Sequence, residues 1–172
     1  MPFVAKVGII VASTLLVLAI GALIFIGSGI YNIGADDHHT RIVLTIIEQL
    51  RNRSIAVRAR EIEVPNLTSP KTIAAGAQRY QELCIGCHLA PGLTKSDIRV
   101  GLYPHPPNLA QEDADDAQRV FWIVKHGIKM SAMPAWGKSL NDDAIWNIVS
   151  FVRQMPTMTP EVYQQLSMAQ AK

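Results

Sequence analysis

From Val7 to Ala35 the chain carries no Asp, Glu, Lys or Arg, and most residues there are Ile, Val, Leu, Ala or Gly. Roughly 20 such residues in a helix cross the hydrocarbon layer of a bilayer, so this run can span it with room to tilt. A secretory signal peptide competes for the same residues, but its apolar region is shorter, about 7–15 residues, and ends in a small-x-small site. Gly27-Ser28-Gly29 fits that site poorly, because it lies inside the apolar stretch. The expectation is an uncleaved single-pass anchor over residues 1–35. Lys6 and the amino terminus precede the span while Asp36 and Asp37 follow it, which orients the amino terminus to the cytoplasm.

The rest of the 172-residue chain divides by pattern. Residues 36–68 hold a strongly periodic segment and a linker, Val64-Pro65-Asn66-Leu67-Thr68-Ser69-Pro70. Residues 69–156 have the makings of a compact domain, and 157–172 form a tail with one short helix and no motif. No strand-period run appears, so the chain reads as all-α. A net charge of +2 and no basic cluster interleaved with aromatics argue against nucleic acid as a partner.

In the segment from Asp37 to Arg60, a count at 100° per residue puts Val43, Ile46, Ile47, Leu50 and Val57 in one stripe. Arg51 and Arg58 edge it on one side, Arg53 and Arg60 on the other. Such a helix suits a membrane interface, its guanidinium groups reaching phosphates. It suits equally a connector packed on the domain or on a partner subunit. His38 and His39 sit beside Asp36 and Asp37, but adjacent residues diverge on a helix, so solvated polar residues at the membrane edge are expected rather than a metal site.

Only two cysteines exist, both in Cys84-Ile85-Gly86-Cys87-His88. The Cys-x-x-Cys-His pattern is that of c-type haem attachment. Two thiols three residues apart can each add to one vinyl group of a single porphyrin, and the next residue then lies under the iron. A structural zinc site wants four ligands, and neither a second cysteine pair nor a His-x₃₋₅-His is present. A thioredoxin-type pair wants a strand-to-helix context, and a disulfide here would close too small a loop to stabilise much. One covalently bound haem c is expected, with His88 as proximal iron ligand. Attachment of this kind takes place outside the bacterial cytoplasmic membrane, which agrees with the orientation read from charge.

For the second axial ligand, the stretch from Lys125 to Gly137 offers His126, Met130 and Met133. Here Met133-Pro134-Ala135-Trp136 resembles the class I cytochrome c family, in particular its small, membrane-anchored bacterial members. In those a Met-Pro-Ala-aromatic motif carries the axial methionine. The resemblance covers roughly residues 69–156 and implies Met133 as the ligand. Met130 is the runner-up, read rather as lining the pocket wall, and His126 reads as the last polar residue of a helix ended by Gly127. Pro107-Asn108-Leu109 resembles the family's Pro-Asn-Leu stretch, whose proline carbonyl accepts a hydrogen bond from the proximal histidine. It lies 19 residues after His88, beyond an inserted loop from Lys95 to His105 that leaves the identity of that carbonyl open. Tyr103 and His105 in this loop are surface polar residues or reach a haem propionate.

The helices fit the same frame. Ser69-Pro70 begins one that carries Ile73, Gly76, Ala77, Tyr80 and Leu83 into Cys84. A second runs from about Asp113 to His126, and a third, capped by Asn141, reaches about Gln154. In the family the first and last helices cross at a glycine, and Gly76 permits that. The fold expected is a transmembrane helix plus a domain of about three to five helices around one haem. The function implied is single-electron transfer between a respiratory donor and a terminal oxidase or reductase. No substrate is turned over, because Met/His ligation fills the iron and raises its potential. The haem domain is expected on the periplasmic side of the cytoplasmic membrane, with Lys129 and Lys138 flanking the Met133 loop toward an acidic partner. Two alternatives stand beside this: a permanently bound haem c subunit of a membrane oxidase or dehydrogenase complex, and a haem peroxidase. Met133-Pro134 argues against the peroxidase.

Overall fold

The computed structural model describes residues 2–168, which form two units, one up to Asp37 and one from His38 onward. Helix α1 (Phe3–Ser28) is the one helix among the described residues of the first unit. At 1.5 Å per residue it is about 39 Å long, more than a bilayer's hydrocarbon layer requires. Its mean hydropathy reaches 2.9, and by length and composition it can cross a membrane. Two of its hydroxyls are satisfied within the helix, Thr14 donating to the Ile10 carbonyl (2.9 Å) and Ser28 to that of Phe25 (2.8 Å). Gly29, at φ +63°, ends it in the left-handed conformation that glycine adopts without steric cost.

The second unit contains α2 (Arg41–Ala59), α3 (Pro70–Leu83), α4 (Ile85–His88), α5 (Asp97–Val100), α6 (Ala117–His126), α7 (Asp142–Val152) and α8 (Pro160–Met168). Short 3₁₀ turns occupy Trp136–Lys138 and Met155–Thr157. Among the described residues there is no β-strand, only an isolated bridge between Ala90 and Leu93. The all-α expectation is met.

Helix boundaries reflect local chemistry. Pro70 stands at the first position of α3, where its missing N–H costs nothing. Ser69 precedes it but makes no capping bond. Asn141 caps α7 through Ala144 N (2.9 Å), with Asp142 and Asp143 in the positive first turn. Helix α6 starts at Ala117 rather than near Asp113, because Asp116 is the residue whose carboxylate caps it, through Arg119 N at 2.9 Å.

The core is a crossing of α3 and α7. Ile73, Ala77 and Tyr80 meet Ile148, Phe151 and Val152, and Met155 and Tyr163 close the cluster. Helix α8 belongs to it: the Tyr163 ring lies 5.9 Å from Phe151, and its hydroxyl donates to Gln81. A second cluster joins Phe121 and Val124 of α6 to Ile145 and Val149, with the Phe121 and Trp146 rings stacked at 4.1 Å.

Helix α2 docks on α6 by the face opposite its apolar stripe. Ile55 and Ala59 are buried, Arg119 donates to Asn52 (2.9 Å), and Gln118 donates to the carbonyl of Ile62. Val43, Ile46, Ile47 and Leu50 remain exposed. Contact with the domain is thus made by the face away from the apolar stripe.

Gly76 is where α3 and α7 touch. A Cβ there would lie 1.9 Å from the Asn147 carbonyl oxygen and 2.9 Å from Phe151 Cβ, and a backbone carbonyl cannot swing aside. Gly76→Ala gains about 1 kcal/mol of helix propensity and loses more to overpacking. The expected net loss is about 2 kcal/mol, read as a fall of about 6–12 °C in Tm. Gly101→Ala, whose Cβ would meet nothing closer than 3.9 Å, should leave Tm within about 2 °C.

Candidate functional site

Cys84 ends α3, and the chain continues as the single turn α4. Cys87 N and His88 N both bond to the Cys84 carbonyl, at 3.1 and 2.9 Å. That turn sets Cys84 and Cys87 one helical turn apart, on neighbouring positions of one face. Both thiols are free and half-buried. Burial, then the neighbouring Cys87 sulfur, push the Cys84 thiol up to about 12. One turn apart on one face, the two sulfurs are placed for two bonds to a single flat group.

His88 is oriented from behind. Its Nδ1 lies 3.0 Å from the Pro107 carbonyl oxygen. A carbonyl only accepts, so Nδ1 carries the proton and Nε2 keeps its lone pair for a metal. Burial, the largest influence, holds the imidazole below its ordinary pKa and so neutral, as a ligand must be. The His88 carbonyl accepts from Leu109 N (3.2 Å), so Pro107-Asn108-Leu109 lies along the attachment turn despite the insertion. Immediately after His88 the chain reverses at Leu89, a non-glycine residue at φ +61°. The buried Tyr80 hydroxyl donates to the Leu89 carbonyl (2.7 Å) and holds this strained turn.

The methionine loop is closed on itself. Gly127 ends α6 at φ +66°, and a Cβ there would lie 2.6 Å from the Met133 carbonyl oxygen. Ile128 N donates to that carbonyl (3.1 Å), and Ser131 Oγ bridges Ile128 O and Met133 N. Met130 sits at the tip, 98% exposed with respect to the protein's own atoms and at φ +58°. Met133 is half-buried, packed against the cluster of Phe121, Val124, Ile145 and Val149. His126 is exposed and its ring lies 4.9 Å from Trp122.

Outside this region, His38 stacks on Tyr103 at 4.1 Å and His39 meets the ring edge at 5.8 Å. Neither joins a metal-ligating cluster among the described residues. His105 is exposed. Sequence reasoning missed three parts of the site: Tyr80 as the holder of Leu89, and Ser96 and Arg99 at α5. Ser96 donates to the Gly86 carbonyl, and Arg99 to those of Cys87 (3.0 Å) and Pro106. A Ser with an Arg three residues later, ahead of two prolines, is too common a pattern to reveal such contacts.

Free paired cysteines, a histidine with Nδ1 committed and Nε2 available, and an inward methionine fit haem c as a set. Residues 71–152 match the family model described as cytochrome c oxidase, cbb3-type, subunit III, a stretch from α3 through α7 that includes Cys84-Ile85-Gly86-Cys87-His88 and Met133. No solved structure matches the chain. The segment 71–152 is a c-type cytochrome domain, of the class I monohaem kind, that binds haem c with its iron and serves haem-based electron transfer.

Proposed function

We propose that the chain is a membrane-anchored monohaem electron carrier of a bacterial respiratory chain, passing electrons from a donor to a terminal oxidase or reductase. The observation that carries this reading is the 3.0 Å contact of His88 Nδ1 with the Pro107 carbonyl, directly beside two free cysteines. In this reading Cys84 and Cys87 hold the porphyrin, and His88 and Met133 bind the iron. Bound haem c supplies an iron that cycles between ferric and ferrous, one electron at a time. The residues' work is to hold that iron still: Pro107 fixes the imidazole plane, and Ser131 and Gly127 fix the loop that carries the thioether. Helix α1 anchors the domain, with Lys6 on the cytoplasmic side and the haem domain in the periplasm. Lys129 and Lys138, both exposed near Met133, offer a weak docking surface for an acidic partner.

One observation favours the second reading, a resident subunit of an oxidase or dehydrogenase complex. The stripe Val43, Ile46, Ile47 and Leu50 is uncovered on a helix whose other face is already fixed to the domain. A partner subunit would cover it, as would a lipid interface. Membranes solubilised in mild detergent and run on a native gel separate shuttle from subunit. A carrier gives a small haem-staining band, and one large band alone would replace the shuttle with the subunit.

The ligand assignment is tested by two substitutions. The oxidised protein should show the weak far-red absorption that marks sulfur ligation of haem iron. Met133→Ala should abolish it and lower the reduction potential, since the thioether favours ferrous iron. Met130→Ala should keep the band and leave stability within about 0.5 kcal/mol, because its side chain touches almost nothing. The reverse pattern would move the ligand three residues along the loop.

A further inference from the structure

The inserted loop is bound to the attachment turn by two half-buried side chains, Ser96 and Arg99. Helix α5 is only four residues long and is held by Ser96, which accepts from Arg99 N (3.2 Å) while its hydroxyl donates to the Gly86 carbonyl. From there Arg99 Nη1 donates to the carbonyl oxygen of Cys87 (3.0 Å) and to that of Pro106. One terminal guanidinium nitrogen carries two hydrogens, so it can serve both acceptors at once.

The need for this donor lies in the sequence. Residues 106 and 107 are both proline and bring no N–H. Two carbonyl oxygens, Cys87 and Pro106, thus come to one place with no backbone donor from the proline pair to satisfy them. A carbonyl taken from water and left unpaired destabilises the fold. Arg99 supplies the donors, and in doing so ties the residue before His88 to the residue before Pro107. The His88 Nδ1 bond to Pro107 lies directly beyond this tie. No carboxylate forms an ion pair with Arg99 among the described residues, so its charge is not cancelled by contact.

Resting on the proposed role of His88 as iron ligand, we infer that Arg99 is a positioning residue of the haem site. Its guanidinium clamps the Pro106–Pro107 segment onto the attachment turn, and its unpaired positive charge beside the proximal ligand raises the iron's reduction potential. A nearby positive charge disfavours the ferric state, which carries one charge more than the ferrous. A lysine would retain the charge but on a shorter side chain without the rigid guanidinium plane that aims Nη1 at both carbonyls.

The test uses the full-length holoprotein in detergent, as Arg99→Met and Arg99→Lys beside the wild type. Three quantities are read: reduction potential, the hyperfine-shifted ring-proton resonances of His88 in the oxidised protein, and Tm. The Met variant should keep a c-type spectrum, fall in potential and move the His88 resonances. The Lys variant should lie between it and the wild type in potential. A side chain with a merely structural role would lower Tm and leave potential and resonances in place, and that result overturns the inference. So would a Lys variant as low in potential as the Met variant. Failure of both variants to yield holoprotein would make Arg99 a folding residue and overturn it equally. A wild type lacking covalent haem or His88 ligation would instead defeat the underlying reading, and would be seen before any variant is compared.

Discussion

The contact between His88 Nδ1 and the Pro107 carbonyl joins two stretches of chain that are far apart in sequence and must be adjacent for the site to exist. On one side is the turn Cys84–His88, which by itself is one turn of helix with two thiols. On the other is a proline-rich segment with no regular structure. The bond fixes which imidazole nitrogen keeps a lone pair, and it converts a flexible histidine into an aimed one. Leu109 N to the His88 carbonyl, and Arg99 to Cys87 and Pro106, repeat the same join on either side. Four short-range contacts therefore set what no single element could.

That join is useful only because the attachment turn is itself anchored. Helix α3 delivers Cys84 from a crossing with α7 so close that residue 76 cannot carry a Cβ. Tyr80 does two jobs there. Its ring packs against Phe151 at 5.3 Å in the crossing, and its hydroxyl holds the strained Leu89 that turns the chain away from His88. The α3–α7 core thus sets the position of the site's first half, and α6 with its closing Gly127 sets the loop that carries Met133. Helices α2 and α8 add to the same unit from outside, α2 on α6 and Tyr163 of α8 on Phe151.

Much of this was legible in the residues. The cysteine spacing announced the cofactor, the charge-free run announced α1, and Asn141 with two aspartates after it announced the start of α7. What stayed hidden was hidden for physical reasons. The start of α6 depended on which of several aspartates, Asp113, Asp115 or Asp116, caps it, and each is a competent cap. On α2 the conspicuous apolar stripe is not the face that packs. On the packing face only Ile55 and Ala59 are buried, and an apolar pair so sparse barely registers in a hydrophobic count. Met130 and Met133 look alike in sequence, and only the reversal at Gly127 turns one outward and the other in. Arg99 was invisible because its partners are backbone carbonyls, which leave no trace in residue identity.

The claim at the centre of this account is that the chain holds one haem through two thioether bonds at Cys84 and Cys87. Acid–acetone extraction of the denatured protein, with mass spectrometry of the polypeptide and its proteolytic peptides, tests it most directly. The expected result is colour that stays with the polypeptide, an intact mass raised by one haem, and that added mass on the peptide containing Cys84 to His88. Colour passing into the organic phase, or a Cys84–His88 peptide of unmodified mass, would contradict it.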